Sequence, residues 1–309
     1  MTRKVLCLFY SNSGQTEMII DHLLEPLRRD GEVDLHLERI RPATAYPFPW
    51  SFLSFFSVFP EAVREVAGAI EEPSFPRDET YDLVVLAYPV WFLSVATPMM
   101  SFLKSEKARV LAGTDVVTVV TCRSMWSQAQ ISMQEQLARL GSKLIGHVTF
   151  KDRSGNRPVT FVSTPLWLIT GRKSVSRYIP EAGVAPEAIR SAGRFGRAML
   201  AHLGLDPGPG EAVPPLRQSE ALTTTATSEA VGKSIFRASA LLIATCSTPN
   251  GPTRKPLVAV FVALLFAIAL TFLPTWVLLV RLGQRAGLVC RTRQIVRFAG
   301  EQVQTGGTA

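Results

Sequence analysis

Three short runs built almost wholly from apolar residues limit the fold more than anything else in this chain. They are residues 4–10 (KVLCLFY), 83–88 (LVVLAY) and 116–121 (VVTVVT). A strand that does not alternate with polar residues is covered on both faces, as the central strands of a parallel sheet are. Helical patterns follow the three runs, over 17–29, 97–104 and 127–140; in the first, Met18, Ile19, His22, Leu23 and Leu27 lie near one face. Residues 33–40 alternate Val, Leu, Leu, Ile with polar side chains and suit a more exposed strand, and 143–150 supply a fifth. This rhythm predicts an α/β fold with a doubly wound five-stranded parallel sheet.

Beyond residue 150 the chain changes character. Hydrophobic content is 47% and charge 19% over the 309 residues, which is apolar for a water-exposed enzyme. Residues 1–150 carry 14 basic and 17 acidic side chains, a net of −3; residues 151–309 carry 19 and 8, a net of +11. A basic second half suits nucleic acid or anionic headgroups, and the long apolar segment within it favours lipid. Residues 257–280 contain no charge over 24 positions, about 36 Å as a helix, against a hydrocarbon core of about 30 Å. Pro274 would kink such a span without forbidding it. The expected layout is a nucleotide-binding domain over 1–180, an amphipathic helix over 181–204 and a Pro/Gly/Ser/Thr-rich linker over 205–232. An apolar and basic segment over 233–256, a membrane-inserted helix over 257–280 and a basic tail over 281–309 complete it. Arg254 and Lys255 precede the apolar run, whereas Arg281, Arg285, Arg291, Arg293 and Arg297 follow it. That bias places the C-terminus in the cytoplasm for a single crossing. A hairpin that also uses 238–246, or a monotopic insertion, keeps the nucleotide domain there too.

Cys7, Cys122, Cys246 and Cys290 form no CxxC pair, and His22, His36, His147 and His202 lack ligand spacing. Disulfides and a metal centre are therefore not expected. The N-terminus lacks the apolar run and cleavage site of a secretory signal.

Ligands of open α/β sheets bind beyond the carboxyl ends of the strands, where three loops fall. Ser11, Asn12, Ser13, Gly14, Gln15 and Thr16 combine hydroxyls, closely spaced amides and a helix N-terminus, a setting for a phosphate. The same residues would also serve as a simple helix cap. The loop has neither the GK[ST] of a P-loop nor the three glycines of a dinucleotide fingerprint. Tyr88, Pro89, Val90, Trp91 and Phe92 either flank a planar ring or pack on the next helix. Cys122, Arg123, Ser124, Met125 and Trp126 follow the third run after Thr121. There Arg123 either answers negative charge on a ligand or is a surface cation, and Cys122 reads as structural.

The spacing of S-N-S-G-Q-T, Y-P-V-W-F and C-R-S-M-W resembles the flavodoxin-like superfamily over about residues 3–180. That resemblance implies FMN, with its phosphate in the first loop and its ring between the other two. Y-S-N-S-G-Q, Y-P-V-W, C-R-S-M-W-x-x-A-Q and the aromatic insertion after the second strand are similar to one subgroup in particular. It comprises the dialkylresorcinol-condensing enzymes of dialkylresorcinol and aryl-polyene pigment pathways. It implies FMN-dependent oxidation of a cyclohexanedione, made with a ketosynthase and acyl carrier protein, to an aromatic resorcinol. Tyr88 and Arg123 are then the candidate catalytic groups, and NAD(P)H is a candidate electron partner.

Residues 46–59 (YPFPWSFLSFFSVF) place seven aromatic side chains in one loop, an apolar collar for an acyl chain, a bilayer contact or a core insertion. Residues 159–170 are a second apolar run for that collar. The resulting expectation is a flavoenzyme at the cytoplasmic face of the inner membrane, acting on a lipid-like substrate, with the bilayer as partner and no nucleic acid. Homo-oligomers are compatible with it. A membrane-bound quinone reductase or electron-transfer protein is the first alternative, and a flavin-free assembly subunit for a ketosynthase the second.

Overall fold

The apolar runs become strands within three residues of the expected limits. The structure, a computed structural model, describes residues 2–76, 79–153, 160–210, 213–216, 224–249 and 251–285. β1 (Arg3–Phe9), β2 (Val33–Arg39), β3 (Leu83–Trp91), β5 (Asp115–Cys122) and β6 (Lys143–Lys151) are all parallel, in the spatial order β2-β1-β3-β5-β6. The two-residue β4 (Ser94–Val95) turns back antiparallel on the end of β3. Counting only the parallel strands, this is the 2-1-3-4-5 order of the flavodoxin-like doubly wound sheet, whose switch point lies between β1 and β3.

Two layers cover the sheet. α1 (Gln15–Arg29), α7 (Pro186–Arg190) and α8 (Gly193–His202) lie on one face, over a core that includes Val5, Cys7, Leu83, Val85 and Ala87. α4 (Thr97–Leu103) and α5 (Ser127–Arg139) cover the other, over Leu6, Leu8, Val84, Leu86 and Tyr88. Alternate residues of one strand point to opposite faces, so an unbroken apolar run feeds both cores at once. The amphipathic stretch expected over 181–204 is two helices, α7 and α8, packed against α1 as part of this layer.

The aromatic loop after β2 carries α2 (Phe52–Ser57) and α3 (Phe59–Val63), and the apolar run after β6 forms α6 (Thr160–Thr170). Near the C-terminus, α9 (Thr224–Cys246) and α10 (Arg254–Arg285) make a helical hairpin. No helix among the described residues is long and apolar enough to cross a membrane, and the anchor expected over 257–280 falls partly outside them, with its side chains at 268–274 not described. The first turns of α10 are used to pack on protein. Val258, Phe261 and Val262 are buried against Phe59 and Val63, and the rings of Phe59 and Phe261 stack at 4.1 Å. Arg254 is buried as well, bonded to the Ser57 carbonyl and the Glu61 carboxylate. The tail over 286–309 also lies outside the described residues, as do 217–223 of the linker expected over 205–232; that linker is corrected at its end, where 224–232 are the first turns of α9.

Candidate functional site

The first loop leaves β1 at the switch point and enters α1 through Gly14, at φ 80°. Glycine adopts this left-handed conformation freely, and here it ends the loop without a side-chain cap on α1. The first-turn amides of α1 therefore face the loop with the positive end of the helix dipole behind them. Three loop side chains are already committed. Asn12 accepts from Trp50 Nε1 at 2.6 Å and donates to the Tyr46 carbonyl. Gln15 Oε1 accepts the Val184 amide at 2.9 Å, and Thr16 Oγ1 meets Thr121 Oγ1 at 2.8 Å, tying the first loop to the third. Ser13 is half-buried. Ser11 differs from all of them: its hydroxyl is buried and has no partner among the described residues. A buried hydroxyl without a partner costs free energy unless a ligand satisfies it. Arg39, which sequence reasoning missed, donates to the Ser11 carbonyl at 3.1 Å and brings a cation to the loop.

The second loop is built on strain. Phe92 and Leu93 sit at φ 50° and 61°, the central pair of a two-residue turn between Trp91 and Ser94, which pair across β3 and β4. Such turns normally use Asn-Gly or Gly-Gly, because bulky residues resist positive φ. Pro89 and Val90 are half-buried at the crevice. Trp91 is buried in an aromatic group, edge-on to Tyr10, Tyr46 and Trp50 at 5.6, 5.0 and 5.9 Å. Tyr88 is a correction: it does not face the crevice. Its hydroxyl is fully buried and donates to Gln130 Oε1 at 2.8 Å, and burial raises its pKa far above the usual phenol value, so it is placed to hold α5, not to touch a substrate.

In the third loop, Cys122, Ser124 and Trp126 are buried while Arg123 and Met125 are half-buried. Burial lowers the Arg123 pKa and the nearby Asp152 carboxylate opposes this, so the guanidinium remains a cation at the loop. Asp152 in turn accepts the Gly183 amide, joining this loop to the segment beside Gln15. Trp126 lies over His147 at 4.8 Å between ring centroids.

The loop of residues 46–59 closes one side of the crevice, with Trp50 against Asn12 and Phe55 against Phe92 at 4.9 Å. Phe48 meets Trp167 of α6 at 6.1 Å, and the Trp50 amide bonds the Leu168 carbonyl at 2.8 Å. The two apolar runs thus form one collar. On its far side, Glu229 and Lys233 of α9 reach the third and second loops. The sequence did carry a signal for them: Glu229, Lys233 and Arg237 recur every four residues, a charged stripe on one helix face.

The arrangement combines a polar loop at a helix N-terminus, two further strand-end loops, the Arg39 and Arg123 cations and apolar walls. Among the described residues it offers no cluster of metal ligands. No family model and no curated protein matches the chain. Among solved structures it is similar to a flavoprotein from Lactobacillus acidophilus in complex with FMN, at 18% identity, 48% of this chain, 93% of that one and a TM-score of 0.39. A flavodoxin from the domain Archaea matches at 10% identity over 65% and 99% of the two chains, with a TM-score of 0.37. A Fusobacterium nucleatum flavodoxin bound to FMN matches at 11% over 65% and 99%, with a TM-score of 0.34. By its own strand order and crevice, residues 3–203 have the flavodoxin-like fold.

Proposed function

We propose that this chain binds FMN at the switch point and is a flavin-dependent oxidoreductase for an apolar, ring-containing substrate. The observation that carries the reading is the buried, partnerless Ser11 hydroxyl beside the open N-terminus of α1. Ser11, Ser13 and the amides from Gly14 onward would hold the phosphate. The turn at Phe92 and the loop at Arg123–Trp126 would flank the ring. Bound FMN would supply a two-electron acceptor or donor. The chain itself would orient the substrate with the aromatic collar, exclude water and place the Arg123 cation beside developing negative charge.

The finer reading is dehydrogenation of an alkylated cyclohexanedione to a resorcinol, the ring losing two electrons and two protons. A ketosynthase and an acyl carrier protein would supply that ring. The collar suits a quinone equally well, which keeps quinone reduction, with NAD(P)H as donor, as the second reading. Turnover of simple quinones by NAD(P)H without turnover of cyclohexanediones would select it.

Ser11→Ala separates a cofactor site from a helix cap. Removing an unsatisfied buried hydroxyl should leave the apoprotein as stable as the wild type. Losing one hydrogen bond to a charged phosphate should weaken FMN about tenfold. Fluorescence titration of the apoprotein checks the affinity and urea melting the stability. Wild type that takes up no FMN, or equal FMN affinity in the variant, refutes the assignment.

The bilayer reading takes a surface form. Leu241, Leu242, Val260 and Leu264 are all more than half exposed on the C-terminal hairpin, with Phe52 and Leu53 of α2 exposed beside them. Apolar faces of this kind with basic neighbours lie in the interfacial region. Leu242→Glu with Leu264→Glu should abolish flotation with anionic-lipid vesicles while leaving the fold intact by circular dichroism. Undiminished flotation of that pair would remove this face as the contact.

A further inference from the structure

We propose that α9 is a strap that fixes both ring-flanking loops of the FMN crevice through two positioning residues, Glu229 and Lys233. The inference rests on the flavin reading for its ligand, but its geometry is independent of it.

Helix α5 starts at Ser127 without a side-chain cap from its own N-cap residue, Trp126. Glu229 supplies the cap from 102 residues away. Its buried carboxylate accepts from the Ser127 hydroxyl, and from the Gln128 amide at 3.3 Å. A carboxylate at this position satisfies first-turn amides and complements the helix dipole. It thereby fixes the point where the third loop becomes helix.

Lys233 acts on the second loop. Its buried ammonium donates to the Leu93 carbonyl at 3.0 Å and to the Ser94 hydroxyl, and pairs with Glu65 at 3.5 Å. These bonds fall on the turn in which Phe92 and Leu93 hold positive φ. A strained turn persists only where its surroundings over-determine it, and Lys233 is such a brace. Gly232 allows the approach, since a Cβ there would stand 3.3 Å from Leu93 Cδ1.

Glu229 and Lys233 are four residues apart, on one face of one rigid helix. They reach loops that leave different strands, β3 and β5, and so hold the two from one side. Substrate therefore meets a slot of fixed width. Both bonds belong to the C-terminal segment, so the hairpin is a working part of the crevice as well as a surface element.

The test uses the full chain in detergent, with hydrogen exchange by mass spectrometry on the apoprotein and FMN titration alongside. Glu229→Ala and Lys233→Met should each speed amide exchange at least tenfold, the first over 122–130 and the second over 88–95. Each should weaken FMN at least tenfold. Glu229→Gln, which keeps an oxygen acceptor, should stay within about threefold of wild type, and Ser234→Ala, at an exposed position of the same helix off that stripe, should change nothing. Ser127→Ala, which breaks the first contact from the domain side, is the companion variant should Glu229→Ala fail to fold. Unchanged exchange in both loops overturns the strap, as does a uniform rise across the whole chain. Loop exchange that responds in a protein that never binds FMN would sustain the strap and refute the flavin reading. FMN binding with unresponsive loops would do the reverse.

Discussion

Gly196→Ala is expected to lower the stability of the domain by about 3 kcal/mol, read as a fall in the urea midpoint at an unchanged m-value. Helix α8 crosses α1 at this glycine, and a Cβ there would sit 2.0 Å from the Leu23 carbonyl oxygen. Pro26 and Leu27 side-chain carbons would lie at 3.1 Å, so no side-chain rotation relieves the overlap. The two backbones must separate by more than 1 Å, an order-of-magnitude displacement set by ordinary contact distances. That motion also withdraws Phe195, Met199 and Leu200 from the core they share with Leu23 and Leu27. Alanine gains roughly 1 kcal/mol of helix propensity, which opposes the loss without matching it. Pro26 explains why the crossing is so close. It has no N–H for the His22 carbonyl, and that carbonyl faces Gly193, one turn before Gly196. Ala201→Gly, at an exposed position on the same helix, should cost no more than about 1 kcal/mol. A Gly196→Ala protein at least as stable as wild type would mean that α8 does not pack as described. Because α1 opens with the loop proposed to hold the FMN phosphate, the same variant should also loosen FMN.

The strands were legible because coverage on both faces leaves an unmistakable trace, an apolar run with no polar interruption. The same trace hides phase. In 83–88 every residue is apolar, so the sequence does not say which members share a face. The sheet puts Val84, Leu86 and Tyr88 into one core and Leu83, Val85 and Ala87 into the other. Tyr88 was therefore readable as a strand-end residue but not as an inward one. The strained turn at Phe92 and Leu93 left no sign either, since neither residue type marks positive φ. Helix α9 was missed for a different reason. Residues 224–233 (TTATSEAVGK) carry no apolar stripe, and periodicity detects helices by that stripe. Glu229 and Lys233 hold the helix to the domain through buried charge instead. Nothing within the uniformly apolar 257–280 divides it between lipid and protein. Val258 and Phe261 read like any membrane residues, and only the partner, Phe59, shows that they pack inward.

The protein is expected to lose about 3 kcal/mol of stability between pH 7 and pH 4 through His147 alone. The imidazole is fully buried on β6, its Nδ1 2.9 Å from Thr118 Oγ1 and its Nε2 2.9 Å from Thr149 Oγ1. Gln130 joins Thr118 at 3.1 Å and Tyr88 at 2.8 Å, so one chain of hydrogen bonds crosses the sheet below the third loop. Both ring nitrogens are satisfied with a single ring proton, and a second would be a buried charge. Burial, with a smaller contribution from the Lys151 ammonium, lowers the folded pKa from 6.5 to about 3. As pH falls below 6.5 the unfolded chain binds a proton that the folded chain refuses, so the unfolded state is favoured progressively down to about pH 3. Above 6.5 both states are neutral and the contribution is constant. Carboxylates add their own acid dependence, and a comparison with His147→Gln removes it, because both proteins share them. The variant should be less stable at pH 7, yet its loss on going to pH 4 should be smaller by about 3 kcal/mol in parallel urea titrations. Equal losses would show that the imidazole takes up its proton in the folded state. Trp126 rests on this ring at the head of the third loop, so acid should release FMN from wild type before the far-ultraviolet signal of the helices is lost. In His147→Gln that early release should be absent, because the group that drives it no longer titrates.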